Sequence, residues 1–107
     1  MQIQINTDGN IEGTEQLADQ VKGVVESTLS RVSDRITRVE VHLSDQNGDK
    51  SGQHDKRCML EARLEGRQPT VVTHEAASLD EAVDGAADKL KRFLESTLER
   101  QEDVRRT

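Results

Sequence analysis

A chain of 107 residues suits one domain, and with 32% hydrophobic and 1% aromatic residues its core must be built from Ile, Val, Leu and Ala. Twenty-one acids against 15 bases give a net charge of -6, which excludes long-range attraction of nucleic acid unless the bases gather on one face. A single cysteine, Cys58, excludes an intrachain disulfide framework, and the chain carries neither a long apolar run nor a basic-then-apolar leader, so a reduced, cytoplasmic setting is the expectation.

The chain opens with MQIQIN, in which Ile3 and Ile5 share one face of a short strand. TDGN turns, and TEQLADQVKGVVESTLSRV follows with Leu17, Val21, Val24, Val25, Thr28, Leu29 and Val32 spaced by threes and fours. That spacing predicts an amphipathic helix with Thr14 as its N-cap, and Gly23 in its middle is expected to serve close packing. ITRVEVHLS alternates with Val39, Val41 and Leu43 on one face and Arg38, Glu40 and His42 on the other. DQNGDKSGQHDK is a polar loop. RCMLEARLEG turns Cys58, Leu60, Ala62 and Leu64 inward, and TVVTHEA after Pro69 is a further alternating stretch. Short links make these three strands an antiparallel meander.

SLDEAVDGAADKLKRFLEST carries the strongest helix signal. Ser78 and Glu81 form a capping box, and Leu79, Ala82, Val83, Ala86, Ala87, Leu90, Phe93, Leu94 and Thr97 form one apolar stripe. ERQEDVRRT lacks the stripe, so residues 1–98 are expected to be the domain and 99–107 a frayed tail. The fold expected is α+β, in the order β-α-β-β-β-α, with two helices on one face of a four-stranded sheet.

Little in this pattern supports catalysis. His42, His54 and His74 lie apart without motifs, and Cys58 alternates in phase with core residues, so it reads as a small apolar side chain rather than a nucleophile. Asp45, Asn47 and Asp49 sit at alternate positions as in a calcium loop, but Lys50 and Lys56 occupy the positions that need Gly and Glu. No metal or cofactor is expected. The basic residues offer more. Lys89 and Lys91 flank the apolar stripe on opposite sides, Arg92 points outward and Arg100 continues the Lys89 edge, while Lys22 and Arg31 are exposed on the first helix. Together they could meet phosphates across the two helices. Asp88, Glu95 and Glu99 share the outer face of the second helix, and Arg92 can pair with Asp88 and Glu95. With no aromatic platform in view, nucleic acid would be recognised by shape and backbone.

SLDEAVDGAADKLKRFL, with its Ala82-Val83-Asp84 core followed by Asp88-Lys89-Leu90 and basic residues, resembles the second helix of the ribosome hibernation-promoting factor family, also called the ribosome-associated inhibitor A family. MQIQINTDGNIEGTEQL resembles the family's opening strand, turn and helix start, and DRITRVEVHLS its second strand. The resemblance covers roughly residues 1–98 and implies a double-stranded-RNA-binding-like fold. It also implies binding to the rRNA of the small ribosomal subunit, and restraint of translation under stress, through basic residues of the two helices. Carried over by position, those are Lys89 and Arg92, with Lys22, Arg31 and Lys91 as further phosphate contacts. The sequence departs from the family at Val24 and Ser27, where relatives carry Lys, at Asp80, where they carry an aromatic, and in its acidic tail. A second expectation is therefore kept: a protein-interaction module that has the fold but not the RNA, working through the open sheet face of Arg38, Glu40, His42, Met59, Glu61 and Arg63.

Overall fold

The structure is a computed structural model that describes residues 1–46 and 55–106, the last six as backbone alone. Strand β1 (Gln2–Thr7) is followed by helix α1 (Glu15–Thr28), a 3-10 segment (Ser30–Arg35), the strands β2 (Ile36–Asp45), β3 (Lys56–Leu64) and β4 (Thr70–Ala76), and helix α2 (Leu79–Arg106). The sheet order is β1-β2-β3-β4. β1 runs parallel to β2, as the α1 crossover requires, and the other two pairs are antiparallel. This is the α+β arrangement that the alternation and helical spacing predict.

Thr14 caps α1 by accepting the Leu17 N–H at 3.0 Å. The helix ends at Thr28, four residues before Val32, because Leu29 is its C-cap and the chain tightens into the 3-10 segment. A spacing of three keeps Leu29 and Val32 on the buried side through that change of pitch. Arg31 therefore stands on the 3-10 segment and not on α1 as the sequence spacing predicts. At the start of α2, the Ser78 hydroxyl accepts the Glu81 N–H at 3.2 Å and donates to the Glu81 carboxylate at 3.3 Å. The helical backbone of α2 continues to Arg106, past residue 98, where the apolar stripe ends.

The core is one aliphatic cluster. Val39, Val41 and Leu43 of β2 and Cys58, Leu60, Ala62 and Leu64 of β3 meet Val21, Val25 and Leu29 from the first helical stretch and Ala82, Val83, Ala86, Ala87, Leu90 and Leu94 of α2. The run of alanines lets α2 lie close to the sheet. Gly85 brings it closer still: a Cβ added there would stand 2.1 Å from the His74 ring on β4. Gly23, expected to serve close packing, does not. It is exposed, and an added Cβ would meet nothing within 4 Å.

The opposite face of the sheet is uncovered. Its register sets Arg38 beside Arg63 and Glu40 beside Glu61. Like charges directly opposite repel, and each is balanced along its own strand, Arg38–Glu40 at 3.3 Å and Arg63–Glu61 at 3.5 Å. Arg38 also donates to Gln4 on β1.

Candidate nucleic-acid interface

The five basic residues singled out in the sequence do not form one patch. α2 lies between β4 on one flank and α1 with the 3-10 segment on the other, and the two flanks differ in charge. On the α1 flank, Leu79 and Val83 meet Leu17, Val21 and Val24 across a groove of about 310 Å³ rimmed by Gln20, Asp80 and Asp84. Further along, Glu95 and Leu98 face Arg31, Val32 and Arg35. By helical spacing Lys91 belongs to this flank, with Asp84 and Glu95 beside it. It is half-buried. Lys22 is exposed on α1, between Asp19 and Glu26 at helical spacings.

The β4 flank is basic. Lys89, Phe93 and Arg100 follow one another at spacings of four and seven, so they stack along one side of α2. Ser96 and Thr97 share that sector by helical spacing, and up to residue 100 no carboxylate of α2 falls within it. The β3–β4 turn adds Arg67, which lines a shallow cavity with Phe93, Pro69, Thr70 and Thr97. Lys89 is anchored: its ammonium donates to the Thr73 carbonyl at 2.9 Å, meeting a backbone acceptor on the edge strand. Arg92 borders the sector from the solvent side and pairs with Asp88 at 3.1 Å, an i,i+4 contact whose side chains are 80% and 50% exposed. An ion pair that open contributes little and yields readily to a better anion. Glu95, expected as a second partner of Arg92, turns elsewhere, and one of its carboxylate oxygens is closed off from solvent without a hydrogen-bond partner.

Phe93 is the chief departure from the sequence pattern. It lies in the apolar stripe of α2 and is expected in the core, yet it is 53% exposed while its neighbour Leu94 is 1% exposed. The stripe is wider than the surface the sheet offers, and Phe93 sits at its β4 margin, where the sheet ends. Arg67 and Phe93 are the two residues of this flank that sequence reasoning missed: one because a turn brings it there, the other because periodicity reports a face and not its margin.

Elsewhere the chemistry is structural. Burial pushes the Cys58 thiol up to about 12, so the thiolate needed of a nucleophile does not form. At the far end of the sheet, Lys56 pairs with Asp45 at 3.0 Å and Asp55 at 3.4 Å, and the hydrogen bond to Asp45 raises its pKa. Asp8 accepts the Asp45 and Asn10 N–H groups there. Most of the calcium-like pattern, with Asn47, Asp49 and Lys50, and also His54, lies outside the described residues. Among the described residues no three His, Cys, Asp or Glu side chains converge to hold a metal ion, and no helix is long and apolar enough to cross a membrane.

The profile of the sigma 54 modulation protein / S30EA ribosomal protein family matches residues 3–102. The chain belongs to this family. It is the ribosome hibernation-promoting factor group that the sequence resembles. Among solved structures, a ribosomal subunit interface protein from Coxiella burnetii superposes with a TM-score of 0.69 at 19% identity, over 91% of this chain and 97% of that one. The N-terminal domain of Protein Y from Thermus thermophilus superposes with a TM-score of 0.61 at 29% identity, over 87% of this chain and 99% of that one. No curated protein matches the sequence.

Proposed function

We propose that this member of the family associates with the small ribosomal subunit and restrains translation by occupying rRNA surface, without catalysis. The observation that carries this reading is the β4 flank of α2. There Lys89, Arg92 and Arg100, with Arg67 from the β3–β4 turn, line one side of a chain that is otherwise acidic. Concentrating cations on one flank answers the difficulty that a net charge of -6 poses for binding RNA. Lys22, Arg31 and Lys91 on the other flank are secondary contacts, because Asp19, Asp84 and Glu95 stand among them.

Co-sedimentation with purified small subunits tests the proposal. With four phosphate contacts, affinity should fall roughly 50-fold between about 50 and 200 mM salt. The Lys89→Glu, Arg92→Glu double variant should lose at least about tenfold in affinity, the scale expected when two phosphate contacts are replaced by repulsion. Unchanged co-sedimentation of that variant would sink the assignment. A second reading, a protein partner on the open sheet face, is favoured by the rows of charged side chains that the sheet register brings together on that uncovered face. Arg38→Glu with Arg63→Glu should then abolish capture of that partner and leave ribosome co-sedimentation intact.

A further inference from the structure

We propose that Phe93 is a nucleobase-stacking residue, taking one unpaired base of an RNA strand whose phosphates lie on Lys89, Arg92, Arg100 and Arg67. This rests on the RNA-binding reading above and adds a ligand feature to it. Three observations lead there. Phe93 is the single aromatic residue of the chain, and more than half of it is exposed although it belongs to an apolar helical stripe. Its surroundings are a shallow cavity of about 310 Å³, walled by Leu64, Pro69 and Leu94, with Gln68, Thr70 and Thr97 at the rim. An aromatic ring and a proline suit the face of a base, while an amide and two hydroxyls offer donors and acceptors to its edge. Finally, the charged residues at helical spacings of four and seven from the ring are basic. Lys89 and Arg100 lie on the same side of α2, Arg67 lines the cavity, and Arg92 is held only by a solvent-exposed pair with Asp88. An apolar side chain of a protein partner would fill the cavity equally well but would bring no anion to those cations. A nucleotide uses both, since each base arrives with a phosphate on either side. Bases inside a duplex are already stacked, so the fitting ligand is a single-stranded or bulged segment.

The test compares the binding of a short single-stranded RNA of mixed sequence with that of an abasic strand of the same length and charge, followed by fluorescence anisotropy. The wild-type chain should prefer the base-bearing strand by about tenfold, the scale of one base–aromatic stack. Phe93→Leu keeps an apolar side chain at an exposed position and should erase the preference; Phe93→Trp should keep it. Thermal melting of each variant separates loss of binding from loss of fold. Equal binding of both strands by the wild type, or a preference that survives Phe93→Leu, overturns the stack. So does failure to bind either strand, and in that case intact co-sedimentation with small subunits leaves the ribosome reading standing. A base preference in a chain that does not co-sediment overturns the ribosome reading and leaves the stack.

Discussion

The two flanks of α2 are built from the same helix and carry different surfaces. Toward α1, the helix meets another helix across an apolar groove, and its margin is acidic, with Asp80, Asp84 and Glu95. Toward β4 it meets the edge of the sheet. There Gly85 admits the His74 ring, Lys89 reaches the Thr73 carbonyl, and Phe93 emerges into solvent among cations. A helix neighbour and a sheet edge cover a helix to different depths, and the uncovered strip is where a ligand surface can form. The asymmetry also runs along the axis. The bases of α2 all lie from Lys89 onward, toward the negative end of the helix dipole, whereas its acids are spread along the whole helix.

The sharpest test of the comparison uses two adjacent residues. Leu94→Ala should cost about 2–5 kcal/mol, because it empties a fully buried site. Phe93→Ala, one position earlier and larger in side chain, should cost under about 1 kcal/mol, because half the ring is already in water. Denaturant titration of both variants measures the difference, and equal losses would mean that the β4 margin is core after all. Gly85→Ala should cost about 1–3 kcal/mol through overpacking against the His74 ring. Adding His74→Ala should recover most of that loss, and a double-mutant cycle reads the coupling.

Alkaline pH probes the layer under both flanks. The folded-state pKa of Cys58 is raised from 9.0 to about 12, so between those values the unfolded chain releases a proton that the folded one keeps. Stability should then fall as pH rises, by about 1.4 kcal/mol per unit. Lys56 acts in the same direction at higher pH. Its pKa is raised from 10.5 by Asp45 first, and its contribution is complete below 10.5 and lost as pH climbs through the raised value. Cys58→Ala should remove the part of the slope that begins near pH 9, as melting temperature against pH would show. The smallest effect belongs to the glycine that meets nothing. Gly23→Ala, on the exposed side of α1, should stabilise by about 0.5–1 kcal/mol, the opposite sign to Gly85→Ala.

Most of the fold was legible because its signals are local. Alternation in residues 36–44 and 57–64 sets which side chains enter the core, and Thr14 and Ser78 mark the two helix starts with hydrogen bonds the structure contains. The parts that were not legible depend on what lies across from a residue. Gly23 and Gly85 are both mid-helix glycines, and nothing in their neighbours along the chain tells which one faces a ring. Arg67 joins the basic flank because the β3–β4 turn folds beside α2, 26 positions away from Phe93 in sequence but at its side in space.

By itself, then, the sequence determined the element order, the aliphatic core, the inert cysteine and the presence of bases on the second helix, since each follows from residue type and short-range periodicity. The tertiary structure alone decided which flank those bases serve, that Arg31 stands on a 3-10 segment, that His74 lies under Gly85, and that the one aromatic ring is exposed. These depend on where the sheet ends beneath α2, and a periodic stripe does not encode the width of the surface that covers it.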